Sequence, residues 1–320
     1  MAIRILGTGS FLPEKSVTND ELAQVMDTSD EWISSRTGIR SRHISVGDTT
    51  ASMAVKAAKK ALEDGGVKPE ELDHIFVATV SGDHATPSTS CEVQSALGAK
   101  NAVCMDVNAA CSGFIYALNT AMAYAKAGMG NKMLLIGVET LSKILDWTDR
   151  STCVLFGDGA GAAVVEADPS SKIFIDAGSD GAKGHVLTCE ERHLNNLLVK
   201  DETPMKQVEM NGQEVFKFAV RIIPKSVGKV LDAAGADKSE IKYYILHQAN
   251  YRIIEAAAKR LKEPLEKFPM NIDHCANTSS ATIPILLDEI HRAGKLQRGD
   301  KIVMSGFGGG LTWGSVYLEW

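Results

Sequence analysis

The stretch "VNAACSGFIYAL" (107–118) sets Cys111 between an alanine pair and a Ser-Gly, where an apolar run passes into a helical pattern. A thiolate at a helix N-terminus is stabilised by unpaired backbone N–H groups and by the positive end of the helix dipole, so this position predicts a nucleophile with a lowered thiol pKa. Ala109, Ala110, Ser112 and Gly113 are small and leave room for a substrate beside the sulfur. The plainer reading is a cysteine that fills core space, and it is the default for Cys91, Cys104, Cys153, Cys189 and Cys275. The six cysteines are scattered with no Cys-x-x-Cys pair, which predicts free thiols rather than a disulfide framework.

A long-range repeat adds two partners. "AGMGNKMLLIGVET" resembles "AGKLQRGDKIVMSGFG", "FGDGAGAAVVEA" resembles "FGGGLTWGSVYLE", and "ELDHIFVATV" resembles "EIKYYILHQA", in the same order. Three matched blocks imply duplicated halves, 1–170 and 171–320, meeting near "EADPSSK". Cys111 lies 17 residues before Gly128 and Asn277 lies 17 before Gly294, so the two hold equivalent places and can face each other across a pseudo-twofold axis. His247 follows the strand-like "YYIL" and can reach the same cavity from the carboxyl edge of a sheet. Cysteine, histidine and asparagine form a known nucleophilic set: histidine exchanges protons, and the amide orients a group or donates to developing negative charge. Singly, His247 also reads as a satisfied structural histidine and Asn277 as a helix N-cap.

The elements that must position these residues follow from pattern. Strand-like "HIFVATV", "AVCMDV", "MLLIGV", "YYILHQA" and "KIVMSGF" alternate with helix-like "ASMAVKAAKKALEDGG" and "GFIYALNTAMAYAKAG", which is an α/β arrangement. Helices close on glycine at "ALEDGG" and "AKAG", and "TSDE" (28–31) has capping-box spacing before "WISSR". No apolar run reaches membrane-span length and the opening lacks a signal-peptide pattern, so a cytoplasmic location without membrane association is expected. A net charge of −6 argues against nucleic-acid binding. "FGDGAG" and "FGGGLTWG" lack the Lys-Ser/Thr ending of a P-loop, and no His/Cys/Asp group has zinc-finger or H-E-x-x-H spacing, so no metal is expected. "GFGGG" can instead bring a backbone N–H close to a reacting carbonyl, or form a tight turn between strands.

"DVNAACSGF", "HQANYRII", "NTSSATIP" and "GFGGGLTWGS", with "DEWISSRTGIRSRH" and "DWTDRST", together make the chain resemble the β-ketoacyl-[acyl-carrier-protein] synthase III family over nearly its whole length. The resemblance implies a thiolase-like five-layered α-β-α-β-α fold, a homodimer and no cofactor, acyl-CoA being a substrate. It implies that Cys111 takes the acyl group from acyl-CoA, and that malonyl-acyl-carrier protein then loses CO₂ and attacks it, with His247 and Asn277 stabilising the carbanion. It implies an oxyanion hole at the backbone N–H groups of Cys111 and Gly309, and water exclusion by Phe307. Coenzyme A contacts carry over to Thr28, Trp32, Arg36, Arg150, Gly212, Phe216 and Asn250, with Trp32 and Arg36 flanking the adenine. Without the family, a Trp and an Arg four apart are a core anchor and a surface charge.

Carrier-protein docking carries over to Lys217, Arg252, Lys259 and Arg260; read alone, "NYRIIEAAAKRLKE" is a solvated amphipathic helix. Thr86 stands before the proline of "HATPS" where acetyl-preferring members carry a bulky aromatic, which predicts a deeper acyl pocket unless Leu141 or Phe156 closes it. The rival readings are a secondary-metabolite priming ketosynthase, a type III polyketide synthase-like enzyme, a papain-like hydrolase, and an inactive scaffold of the same fold.

Overall fold

The structure, a computed structural model, describes residues 2–320. One sheet has five strands, in the spatial order Ala2–Phe11, Gly159–Asp168, Lys132–Glu139, His74–Ala78, Val103–Val107. A second has four, in the order Ile173–Ser179, Thr312–Glu319, Lys301–Gly308, Ile241–Leu246. From the first-named strand onward, both sheets pair antiparallel, antiparallel, then parallel. The blocks that repeat in the sequence therefore occupy matching strands, and the first sheet adds Val103–Val107 at its parallel edge.

Alternation along these strands decides where the helices lie. Phe76, Met133 and Leu135 face one side of the first sheet and share a core with Ile245, Ile302, Met304 and Val316 of the second. Between them run the helices Gly113–Lys126 and Thr282–Arg292, whose Phe114, Ile115, Leu118, Ile283, Leu286 and Leu287 are buried in that same core. A helix covered on both sides must be apolar around most of its circumference, as "GFIYALNTAMAYA" is. The alternate residues Ile75, Val77, Leu134 and Ile136 face outward onto Met53, Ala54, Ala57 and Ala61 of the helix Thr50–Gly65. On the far side, Tyr244, Val303 and Tyr317 pack under the helices Gly212–Ala234 and Tyr251–Leu261. The result is five layers, α-β-α-β-α.

Helix ends follow the sequence closely, with one shift. Gly66 (φ 62°) and Gly128 (φ 70°) take the left-handed turn that a side chain resists. At "TSDE" the N-cap is Ser29, which accepts from the Trp32 N–H at 3.1 Å, and the helix runs Asp30–Thr37. Thr28, expected as the cap, is one residue too early, and its hydroxyl is buried without a partner. Among the described residues no helix is long and apolar enough to cross a membrane, and all six cysteines are free.

Candidate active site

Each central helix is entered through a short 3-10 turn, Ala110–Ser112 before Gly113 and Ser279–Ala281 before Thr282, and the two turns abut. The second turn also lies against the strand Lys132–Glu139, so closely that a Cβ on Gly137 would lie 2.3 Å from the Ser280 carbonyl oxygen. Cys111 sits in the first turn, directly after Ala110, and Asn277 lies two residues before Ser279. Ala110 (φ 45°), Ala276 (φ 56°) and Ser279 (φ 49°) all hold left-handed backbone, a strain of about 1–2 kcal/mol per residue. Three such residues beside one cysteine mark a site held in a fixed, unfavourable shape.

Ser279 joins the three chemical residues. Its N–H donates to Asn277 Oδ1 at 2.8 Å, which identifies that atom as oxygen and leaves the Nδ2 amide as the donating end. Its hydroxyl lies beside the Cys111 thiol and donates to Glu139 Oε1 at 3.1 Å. Its carbonyl accepts from the Thr282 hydroxyl at 3.0 Å, and Thr282 Oγ1 is 2.6 Å from His247 Nδ1. His247 directly follows the strand Ile241–Leu246, donates its N–H to the Ser305 carbonyl at 2.8 Å, and stands edge-on to Phe307, ring centres 5.3 Å apart. His247 and Asn277 are buried, as are Cys111 and Phe307.

Burial reverses the expected acidity of the nucleophile. Removing the thiolate from water pushes Cys111 up to about 12, opposed by the Ser279 hydroxyl and reinforced by the negative charge of Glu139. The resting sulfur is a thiol, so the lowered pKa read from the helix start is not found. It needs a base, and the same burial holds His247 down to about 3, neutral and able to accept a proton at Nε2 when Nδ1 carries the hydrogen.

Glu139 is a site residue that the sequence reading missed. It is fully buried, and Oε2 accepts from Thr79 Oγ1 (3.2 Å), the Val80 N–H (3.0 Å) and Ser81 Oγ (2.6 Å), while Oε1 accepts from Ser279 and Ser280 (3.0 Å). Burial raises its pKa. Its one sequence signal is a carboxylate closing the apolar "MLLIGVE" strand, at the sheet edge where α/β sites lie.

A cavity of about 650 Å³ opens on Cys111 and Ser279, walled by Leu141, Phe156, Leu187 and Gly309 among others. Gly308 explains the glycine run, since a Cβ there would lie 2.6 Å from the Cys111 nitrogen. Thr86 is exposed and does not line the cavity; its neighbour Ala85 does, so within one chain Thr86 does not set the pocket depth.

Trp32 packs against the apolar cluster that contains Leu141 and Phe156. Two guanidiniums lie over its ring, Arg36 at 4.8 Å and Arg150 at 5.3 Å, so three of the residues that the resemblance assigns to coenzyme A cluster here. Arg150 is also held by the Asp27 carbonyl and carboxylate. Asn250 caps the helix Tyr251–Leu261, accepting from the Arg252 N–H at 2.8 Å, and its amide donates to the Arg36 carbonyl at 3.1 Å. Gly212 and the half-exposed Phe216 begin the long helix after Met210, which pairs with Leu187 at the cavity wall.

The basic residues divide. Lys259 is exposed and makes no ion pair among the described residues, whereas Lys217 pairs with Glu214 at 2.8 Å and Arg252 donates to the Ser35 carbonyl at 2.8 Å. Arg260 is exposed, as expected, and also donates to the Val220 carbonyl at 2.6 Å, tying two helices together.

Residues 105–191 match the family described as 3-Oxoacyl-[acyl-carrier-protein (ACP)] synthase III, and residues 231–320 match its C-terminal counterpart. A β-ketoacyl-[acyl-carrier-protein] synthase III of Clostridium acetobutylicum is 52% identical, covering 100% of this chain and 99% of the relative. The crystal structure of 3-oxoacyl-[acyl-carrier-protein] synthase III from Aquifex aeolicus superposes with a TM-score of 0.92 at 45% identity, over 99% of this chain and 100% of that one. The priming β-ketosynthase of the R1128 polyketide pathway gives 0.92 at 35%, over 99% and 96%. With its thiolase-like fold and its buried cysteine, histidine and asparagine joined through one serine, the chain belongs to the β-ketoacyl-[acyl-carrier-protein] synthase III family of condensing acyltransferases.

Proposed function

We propose that the protein starts type II fatty-acid synthesis by a two-stage reaction. In the first stage the Cys111 sulfur attacks the thioester carbon of an acyl-CoA. His247 Nε2 takes the thiol proton and passes it to the departing coenzyme A sulfur, so the products are acyl-Cys111 and free coenzyme A. The tetrahedral oxygen is held by the N–H groups of Cys111 and Gly309. In the second stage a malonyl-carrier protein loses CO₂, its enolate oxygen is held by Asn277 Nδ2–H and by His247, and the carbanion carbon attacks the acyl group. The departing Cys111 sulfur takes up one proton from solvent, so the products are a 3-ketoacyl-carrier protein, CO₂ and the free thiol. Phe307 keeps water from the carbanion. No resident cofactor takes part.

The two stages ask opposite things of His247 Nε2: a lone pair first, a hydrogen second. The single observation that carries the reading is Thr282, whose hydroxyl can serve both. With its proton on the Ser279 carbonyl, it accepts from Nδ1–H and leaves Nε2 basic; turned toward Nδ1 at 2.6 Å, it leaves Nε2–H as a donor.

Coenzyme A is read as lying over Trp32 between the arginines, its arm reaching Cys111 past Gly212, Phe216 and Asn250, with Thr28 at the rim. Leu141 and Phe156 bound the acyl chain. The carrier protein is read as docking on Lys259, with Lys217, Arg252 and Arg260 beside it. The halves divide at 1–170 and 171–320. The homodimer is read as forming through Val103–Val107, an edge strand with Val103 60% and Met105 38% exposed, which offers an apolar ladder to a second copy.

Intact mass after incubation with acetyl-, isobutyryl- and octanoyl-CoA tests the first stage. An acyl increment absent in Cys111→Ala and discharged by malonyl-carrier protein is expected; no increment from any of the three overturns the reading.

A further inference from the structure

Glu289, on the second central helix, lies beside the turn Ile272–Cys275 that leads to Asn277, and there it meets His274 and Cys275. The three offer one ligand atom each, all within 4.8 Å of one another. His274 Nε2 is 3.6 Å from Glu289 Oε1, and Cys275 Sγ is 3.7 Å from the same oxygen. Tetrahedral zinc, with bonds of about 2.0–2.2 Å to nitrogen and oxygen and about 2.3 Å to sulfur, sets such edges at about 3.4 and 3.6 Å. Two of the three edges, at 3.6 and 3.7 Å, thus fit a zinc polyhedron, and the third lies within 4.8 Å.

The surroundings point the same way. His274 Nδ1 is 2.9 Å from Asp273 Oδ1, which fixes the ring and leaves Nε2 for a metal, the carboxylate–histidine pairing that commonly supports zinc ligands. Glu289 Oε2 accepts from Asn271 Nδ2 at 2.8 Å, which leaves Oε1 as the ligand. Asn271 is itself 2% exposed, and its Oδ1 has no partner. Access exists, because the His274 and Glu289 side chains are 51% and 33% exposed, so water can fill a fourth position.

We propose that His274, Cys275 and Glu289 bind a zinc ion, with water as fourth ligand, outside the reaction centre. Local spacing in the sequence hides the site, because Glu289 arrives from another element. The ion pins the Ile272–Cys275 turn to the Thr282–Arg292 helix, and so fixes from behind the loop that carries Asn277. Binding expels the Cys275 thiol proton and any proton on His274 Nε2, and affinity therefore rises with pH.

The test uses metal-freed whole protein titrated with Co²⁺, whose thiolate charge-transfer and tetrahedral visible bands report ligand type directly, followed by displacement with Zn²⁺. One equivalent giving both bands is expected, unchanged in Cys111→Ala and lost in Cys275→Ser. Asp273→Asn, which leaves all three ligands in place, should weaken binding by about 10–100-fold. It serves with Glu289→Gln should Cys275→Ser fail to fold. Zinc should raise the melting temperature of the wild type and leave that of Glu289→Gln unmoved. Absence of a thiolate band, or a band indifferent to both Cys275 and Glu289, overturns the proposal.

Discussion

Thr282→Val removes one hydroxyl and keeps the side-chain shape, so it isolates the hydrogen bond at His247. Both residues are 2% exposed, and the lost contact is the 2.6 Å pair to Nδ1. A buried N–H left without an acceptor costs about 1–3 kcal/mol. If that cost falls on the transition state, at about 1.4 kcal/mol per tenfold the rate drops roughly 5- to 150-fold. Both stages should slow, because one hydroxyl serves both states of the ring. Single-turnover acylation followed by intact mass reads the first stage, and discharge of preformed acyl-enzyme by malonyl-carrier protein reads the second. Thr282→Ser restores the hydroxyl and should recover most of each rate. Wild-type rates for the valine variant in both stages, or equal losses for serine and valine, would refute the assignment of Thr282 as the residue that positions His247.

Glu139→Gln puts an amide where Ser279 and Ser280 now donate, so it should lower kcat about tenfold with little change in KM, consistent with a positioning role; a rise in KM alone would count against it. His247 titrates near 3 when folded against 6.5 when exposed, so below pH 6.5 the unfolded chain binds a proton that the folded one does not. Its contribution to stability is complete above 6.5 and falls toward pH 3, by up to about 1.4 kcal/mol per pH unit. His247→Asn should flatten that part of the stability curve, whereas parallel curves would contradict a neutral buried ring. Lys259→Glu should raise KM for malonyl-carrier protein several-fold and leave acyl transfer from CoA unchanged; an equal effect on both would place Lys259 elsewhere than the carrier-protein face.

Much of this was legible before any coordinates. The alternation of apolar runs set the sheets and the buried helices, because a strand covered on both faces and a helix covered all round each leave a distinct pattern. The glycine count paired Cys111 with Asn277, but the turns themselves pair Ala110–Ser112 with Ser279–Ala281. Ser280 therefore holds the place of Cys111 and Asn277 lies just before the second turn, because the first central helix has 14 residues and the second 11. Thr28 lost the cap to Ser29 by one residue, a difference that local spacing is too coarse to resolve.

What required the tertiary structure was everything set by burial or by contact between distant segments. Cys111 was expected to be acidic because a helix start is visible in sequence, but the desolvation that outweighs it belongs to the packed site. Glu139 was invisible because its five donors come from two separate segments, 79–81 and 279–280, both distant from it in sequence. Arg260 is the surface charge that the pattern indicated, and only the tertiary structure showed that the neighbouring helix offers it the Val220 carbonyl. The sequence by itself determined the residue types, their order and the elements that carry them, since these depend on local propensity and periodicity. The tertiary structure decided protonation states and hydrogen-bond partners, because those depend on which groups lose their water together.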